Sequence, residues 1–170
     1  METKKYELTN ESITLGNGTK LYRIRALKDF GNVSAGEIGG YVQSENNLSQ
    51  DGDAWVYGNA WVYGNARVYG DARVYGDAWV YGNTRVYGDA EVKTYDDLCI
   101  FTYFGSANRT TTAFKTKDGG INVRCGCFQG TLQQFREKVK ETHGTNDYAV
   151  EYLMIADLIE HKLVGRNKKE

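Results

Sequence analysis

Seven six-residue repeats follow one another without interruption from Gly52 to Lys93, and they constrain the fold more than any other feature of the sequence. Each repeat begins with Gly and then Asn or Asp, continues with a small residue, a large residue and Val, and closes with Tyr or, once, Lys. A fixed short period predicts a solenoid, in which each unit buries its apolar side chains only against its neighbours.

The residues of each repeat alternate as in a β-strand. Ala and Val fall on one face, and Trp, Arg and Tyr fall on the other. Gly followed by Asn or Asp adopts turn conformations readily, so we expect these pairs to form corners. Three six-residue sides would make a coil of 18 residues, and the small inward side chains would fit its narrow interior.

An aliphatic residue followed four positions later by a small one, as in Val56 with Ala60 and Val86 with Ala90, resembles the pattern of the hexapeptide-repeat family. The resemblance covers about a quarter of the chain. It implies a short left-handed parallel β-helix of about three coils. Because that family contains acyltransferases, lyase-like enzymes and scaffolds, it implies a fold rather than a function.

The expected fold is mainly β, with three structured segments and a polar tail. Residues 1–33 form a capping β-hairpin, because Asn17-Gly18 lies between two apolar runs. Residues 34–93 form the β-helix, residues 94–164 form an α+β module, and residues 165–170 form the tail.

Residues 34–51 are interpreted as a degenerate first coil of the β-helix. Counting back in sixes places Ile38, Ser44 and Gln50 in phase with the repeat valines. Val42 and Leu48 then fall in phase with the repeat alanines.

The α+β module is expected to be a β-meander followed by two helices. The strands are placed at 98–104, 110–116 and 121–125. Thr131 and Gln134 form a capping-box pattern at the start of the first helix, Gly144 ends it, and a second helix begins near Asn146.

Outward side chains 18 residues apart are expected to stack on adjacent coils, about 4.8 Å apart. The expected ladders are Trp55 with Arg73 and Glu91, Trp61 with Trp79, Arg67 with Arg85, and three pairs of tyrosines. Trp, Arg and Tyr dominate interface hot spots, which favours a binding surface. The predicted partner-binding residues are Trp55, Trp61, Trp79, Arg67, Arg73, Arg85, Tyr57, Tyr63, Tyr75 and Tyr81. The alternative is that the ladders only stabilise the repeat.

No catalytic residue is expected in the repeat. Acyltransferases of the hexapeptide-repeat family need a histidine between coils, and both histidines, His143 and His161, lie outside it. We therefore expect a protein that is not an enzyme and that needs no cofactor. Cys125, Cys127 and His143 are candidate zinc ligands, but one residue between the cysteines is shorter than the usual spacing, so we expect no metal.

Charge and composition narrow the choice of partner and compartment. The net charge is −1 and no long block of one sign occurs, so we expect no direct binding to nucleic acid. No apolar run is long enough to cross a membrane or act as a signal, and the three cysteines are an odd number, which together favour a cytoplasmic protein.

The segment from Gly126 to Phe135, Gly-Cys-Phe-x-Gly-Thr-Leu-x-x-Phe, occurs here together with the repeats. This combination resembles uncharacterised proteins of bacteriophages and mobile elements of Gram-positive bacteria. The resemblance implies a genetic setting in which small accessory proteins inhibit host defence, as anti-CRISPR proteins do.

The leading hypothesis is accordingly a non-enzymatic protein-binding module, dimeric or trimeric, that docks on a host protein such as a CRISPR-associated nuclease. Three alternatives stay open. They are an oligomeric sponge that holds a nucleotide signal through Arg67 and Arg85, a structural or assembly component, and an enzyme that uses the C-terminal Cys and His residues.

Overall fold

The structure is a computed structural model that describes residues 4–165. The chain divides into two units, Met1–Tyr95 and Asp96–Glu170. Strands dominate the first unit, and a sheet with two helices makes up the second, so the prediction of a mainly β protein with two helices is confirmed. Residues 166–170 of the predicted tail lie outside the described residues.

The first unit begins with an antiparallel β-hairpin. Strands β1 (Tyr6–Thr14) and β2 (Lys20–Ala26) pair on either side of the turn at Asn17-Gly18, as predicted. Strand β3 (Ile38–Val42) is antiparallel to β2 and parallel to the second strand of the repeat. One sheet therefore continues from the hairpin into the repeat.

The repeat itself is a parallel β-solenoid built from two-residue strands. They are β4 (Trp55–Val56), β5 (Trp61–Val62), β6 (Arg67–Val68), β7 (Arg73–Val74), β8 (Trp79–Val80), β9 (Arg85–Val86) and β10 (Glu91–Val92). Each pairs with the strand 18 residues away, which gives the ladders β4-β7-β10, β5-β8 and β6-β9. The repeat valines, from Val56 to Val92, are fully buried, and so are the residues at the alanine position. The predicted inward and outward alternation is confirmed.

The predicted phase of the first coil is wrong by two residues. Val42 pairs with Val62, and Leu48 bridges Val68, so both occupy valine positions at a spacing of 20 rather than 18. The extra residues lie between Leu48 and Val56. Gln50 does not point into the solenoid core there, because its side-chain oxygen accepts hydrogen bonds from the backbone N–H groups of Lys5 and Tyr6.

Ile38 and Ser44, the other two residues placed in phase with the valines, also lie outside the core. Ile38 is half exposed. Ser44 caps the 3₁₀ turn Glu45–Asn47. The buried Asn47 amide in turn donates to the carbonyl oxygens of Gly64 and Ala66 at 3.0 and 2.9 Å, which ties this turn to the first regular coil.

Two adjacent glycines allow β3 to lie directly on the first coil. A Cβ atom at Gly40 would lie 2.6 Å from the Ala60 carbonyl oxygen and 2.7 Å from a Val56 methyl group. A Cβ atom at Gly39 would meet Ile24 and the Trp55 ring at similar distances. No side chain fits at either position without displacing the sheet.

The second unit contains an antiparallel sheet and two helices. The sheet order is β11 (Leu98–Phe104), β12 (Arg109–Lys115), β13 (Ile121–Cys125) and β14 (Phe128–Thr131), and the helices are α1 (Leu132–His143) and α2 (Asp147–Leu163). Strand β14 was not predicted; it pairs with β13 through a turn at Gly126-Cys127. Both helix starts are as predicted, with the capping box at Thr131 and a cap at Asn146.

Lys5 is buried where β1 enters the sheet. Its ammonium group donates to the carbonyl oxygens of Gly52 and Ala54 at 3.1 and 2.9 Å and lies 4.9 Å from the Phe30 ring centre. Burial lowers its pKa from 10.5 to about 8, although Asp53 and Asp51 oppose the shift.

We predict that the free energy of unfolding rises by about 1 kcal/mol between pH 8 and pH 9. The unfolded chain keeps the Lys5 proton up to the ordinary pKa of 10.5, whereas the folded chain releases it near pH 8. The unfolded state therefore binds more protons in this window, and stability rises with pH. Burial raises the pKa values of Tyr6, Tyr57, Tyr63 and Tyr75, which acts in the opposite direction and becomes large only as the pH approaches their ordinary value of 10. Urea unfolding at intervals across the window should show the rise, and Lys5→Met should remove it; an equal slope in both proteins would contradict the assignment.

We also predict that Gly40→Ala destabilises the first unit by about 1 to 3 kcal/mol, because the new methyl group overlaps the Ala60 carbonyl and the Val56 side chain. Gly16→Ala is the matched control, since a Cβ at Gly16 meets nothing within 4 Å. Thermal unfolding should place the control close to the parent protein. Equal melting temperatures for the two variants would rule out close packing of β3.

Candidate functional site

Trp61 and Trp79 form a stacked pair on the outer face of the solenoid. Their ring centroids are 4.9 Å apart and their planes differ by 4°. The stack follows from the parallel register, which places Trp61 directly beside Trp79. Trp61 is half-buried, whereas 50% of Trp79 is exposed. The pair presents a flat indole surface to solvent.

Stacked tyrosines accompany the tryptophans. Tyr57 lies on Tyr75 at 4.9 Å, and Tyr63 lies on Tyr81 at 5.6 Å, in both cases with nearly parallel rings. Burial is the main reason that the pKa values of Tyr57, Tyr63 and Tyr75 are raised, so their hydroxyl groups stay protonated near neutral pH. We call Trp61, Trp79, Tyr57, Tyr75, Tyr63 and Tyr81 the aromatic ladder.

Trp55 does not belong to this surface, which corrects its predicted role in partner binding. It is fully buried, with Tyr6 and Phe30 packed edge-on against it at centroid distances of 6.1 and 5.3 Å. Within residues 4–165 its indole N–H has no hydrogen-bond partner. The signal that could have revealed this is Gly39-Gly40, since two adjacent glycines before an aromatic repeat allow close approach of another chain segment.

Arg73 is engaged within its own ladder. The predicted order Trp55, Arg73, Glu91 is confirmed by the pairing of β4, β7 and β10. The Arg73 side chain forms a hydrogen bond with Tyr75, and the Tyr75 hydroxyl donates to Glu91 Oε1 at 3.0 Å. The charge of this arginine is thus compensated locally.

Arg67 and Arg85 differ from Arg73 because neither side chain forms a hydrogen bond or an ion pair within the described residues. The register places them side by side on β6 and β9. They line a cavity of about 450 Å³ together with Glu45, Ser49, Gln50 and Tyr69. Glu45 forms an ion pair with Lys4 at 2.7 Å, so the cavity, here called the arginine pocket, carries uncompensated positive charge.

A second cavity, of about 300 Å³, lies within the C-terminal unit. The three metal candidates Cys125, Cys127 and His143 all line it, together with Arg109 and Tyr152, which sequence reasoning missed. In the described part of the chain, no group of three or more His, Cys, Asp or Glu residues is arranged to hold a metal ion. Cys99 is buried in the core cluster.

The structure therefore divides the predicted site residues among five places: the aromatic ladder, the core beneath the hairpin, the ladder of Arg73 with Glu91, the arginine pocket and the C-terminal cavity. Within residues 4–165, no helix combines the length and the apolar character needed to cross a membrane.

Comparison with known proteins gives a family match within the solenoid and a similarity to a bacterial protein. The family described as "YdcK Beta solenoid repeat" matches residues 60–76 and again residues 66–82. An Escherichia coli (strain K12) protein described as "Uncharacterized acetyltransferase YdcK" is 38% identical over 61 residues. The match covers 32% of this chain and 19% of that protein, so the chain spans about a fifth of the relative's length.

This similarity contradicts the expectation that the chain is not an enzyme, because it points toward the hexapeptide acetyltransferases. The expectation relied on the missing histidine between coils. The missing histidine bears only on the repeat, whereas both histidines, His143 and His161, lie in the C-terminal unit.

Proposed function

We propose that the solenoid is a binding platform that docks a protein partner through the aromatic ladder. In finer detail, we propose a closed, left-handed β-helix of about three coils. The observation that carries the function is the exposed, parallel stack of Trp61 on Trp79, flanked by stacked tyrosines.

Rigidity is what favours binding here. Each ring of the stack is held by its neighbouring ring. Its backbone also lies in a hydrogen-bonded ladder, in which the Trp61 backbone N–H donates to the Ala78 carbonyl oxygen at 2.9 Å. A partner that covers these rings buries a large aromatic area without ordering flexible side chains, which is the condition for an interface hot spot.

The identity of the partner stays a prediction. A host defence protein, such as a CRISPR-associated nuclease targeted by a phage-encoded inhibitor, is the partner favoured by the resemblance of Gly126–Phe135. A dimer or trimer of the chain itself would use the same exposed aromatic rings, and a role in assembly would follow from that.

We predict that Trp61→Ala combined with Trp79→Ala abolishes capture of the partner, because the flat indole surface is lost. The measurement is affinity capture from a bacterial lysate, with identification of the proteins retained and with circular dichroism to check the fold. The matched control is Met154→Ala with Leu158→Ala, which removes exposed apolar side chains from α2 of the C-terminal unit. Capture that survives in the tryptophan variant but fails in the control would place the binding surface in the C-terminal unit instead.

A second candidate function is the binding of a nucleotide or another phosphate-bearing ligand in the arginine pocket. The observation that favours it is the side-by-side pair Arg67 and Arg85, which has no carboxylate of its own in the described residues. Two guanidinium groups can share one phosphate group in a charge-assisted contact. Candidate ligands are cyclic nucleotides and, in line with the similarity to an acetyltransferase, a nucleotide-linked acetyl donor.

We predict that cyclic nucleotides or acetyl-coenzyme A raise the melting temperature of the protein, and that Arg67→Gln with Arg85→Gln removes this shift. Arg124→Gln, in the C-terminal unit, removes a charge elsewhere and should keep the shift. The measurement is a thermal shift at two salt concentrations, since a phosphate contact weakens with added salt. Equal shifts in all three proteins would exclude the arginine pocket as the site.

A further inference from the structure

We propose that the C-terminal cavity binds a small monocarboxylate with an apolar body, whose carboxylate lies against Arg109 and the Tyr152 hydroxyl while its body lies on the aromatic floor. The inference goes beyond the function proposed for the solenoid, because all the residues that line the cavity belong to the C-terminal unit.

The polar end of the cavity is formed around Tyr152. Its hydroxyl lies among the Ser106 hydroxyl, the Cys125 thiol and the Arg109 guanidinium group. Burial is the largest cause of the raised pKa of Tyr152, followed by the proximity of Cys125. The hydroxyl therefore stays protonated near neutral pH and can donate a hydrogen bond to an anion.

Two glycines fix the positions of Tyr152 and Arg109. A Cβ atom at Gly105 would lie about 2 Å from the end of the Tyr152 ring. A Cβ atom at Gly126 would lie close to Arg109 Nη1. Because both glycines also have positive φ angles, of 72° and 59°, the turns that carry them are suited to glycine on two grounds. The cavity thus depends on backbone that leaves room for these two side chains.

Arg109 has no carboxylate partner among the described residues. The other arginines of the C-terminal unit differ in this respect: Arg136 pairs with Asp157 and Glu160, and Arg124 bonds Gln129. Lys138, the other cation of the cavity, is paired with Glu141 at 2.9 Å. One uncompensated guanidinium therefore faces the cavity.

The floor of the cavity is mainly aromatic. Phe128 and Phe135 lie 5.5 Å apart, Tyr152 packs edge-on against Phe135 at 5.9 Å, and the His143 ring stacks on Tyr152 at 5.5 Å. Val139 completes this floor.

One guanidinium and one hydroxyl beside an apolar floor match the two oxygens and the hydrocarbon part of a carboxylic acid. Inorganic phosphate would gain less, since it has no apolar part to cover the rings and needs more donors. The volume of about 300 Å³ admits a six-carbon acid.

Titration calorimetry of the full chain with hexanoate tests the assignment. Hexan-1-ol lacks the charge, acetate lacks the apolar body, and inorganic phosphate lacks both the shape and the hydrocarbon. We expect hexanoate to bind at least about tenfold more tightly than each of these, because a charge-assisted hydrogen bond and the buried hydrocarbon act together. Equal affinity for hexanoate and hexan-1-ol, or a preference for phosphate, would overturn the proposal.

Arg109→Gln should weaken hexanoate binding by about tenfold, since it removes the charge that faces the carboxylate. Arg124→Gln, on the neighbouring strand of the same sheet, is the matched control and should bind hexanoate as the parent protein does. Unchanged affinity in Arg109→Gln would overturn the proposal.

A second readout uses only the parent protein, so it does not depend on the variant folding. Cys127 is exposed and Cys125 is partly exposed at the cavity, whereas Cys99 is buried in the core. Hexanoate at saturating concentration should slow alkylation of Cys125 and Cys127 by iodoacetamide at least about threefold and hexan-1-ol should not. Equal alkylation rates with and without hexanoate would contradict a ligand in this cavity.

Discussion

The hydrogen-bonded parallel register of the solenoid is the constraint on which the rest of the first unit depends. Each two-residue strand is bound to the strand 18 residues away, as when Tyr63 N–H donates to the Val80 carbonyl oxygen at 3.0 Å. Because the register is fixed by the backbone, the side chains of successive coils must lie beside each other whether or not they attract. Stacking of Trp61 on Trp79 is favourable, whereas the placement of Arg67 beside Arg85 is unfavourable because like charges repel. The same geometry thus produces the rigid aromatic ladder and the uncompensated charge of the arginine pocket.

The arginine ladders of the solenoid differ in whether their charged side chains are paired within the ladder. Arg73 resolves its charge internally through Tyr75 and Glu91, so it contributes to cohesion of the coils. The Arg67 and Arg85 side chains form no hydrogen bond or ion pair of this kind within the described residues. Arginine therefore has different roles in the three repeats that contain it. Its role depends on the side chain that lies beside it on the adjacent coil. The match to a β-solenoid repeat family concerns the coils of residues 60–82 and leaves these outer residues to be explained by their own neighbours.

Strict periodicity made the solenoid predictable, since alternation, corners and ladders all follow from a six-residue period. The same periodicity led to wrong predictions at the N-terminal end of the repeat. Counting in sixes placed Gln50 inside the core, but its amide is better satisfied by the backbone of Lys5 and Tyr6. It also made Trp55 equivalent to Trp61, although the hairpin covers Trp55. In the C-terminal unit the helix caps could be predicted from the sequence. The cavity could not, because Arg109 and Tyr152 come together only through tertiary packing around Gly105 and Gly126.

The spacing of 20 residues between Val42 and Val62 has a consequence for how the chain finds its fold. Nearly identical hexads would bury equivalent Ala and Val side chains if the coil slipped by one side, so the repeat alone distinguishes poorly between alignments. The longer segment between Leu48 and Val56 occurs once, and Lys5 binds it at two points: its backbone N–H donates to Gln50 Oε1 and its ammonium group donates to the Ala54 carbonyl oxygen. This irregular stretch therefore defines which hexads form the first regular coil, and with it the alignment of every later strand.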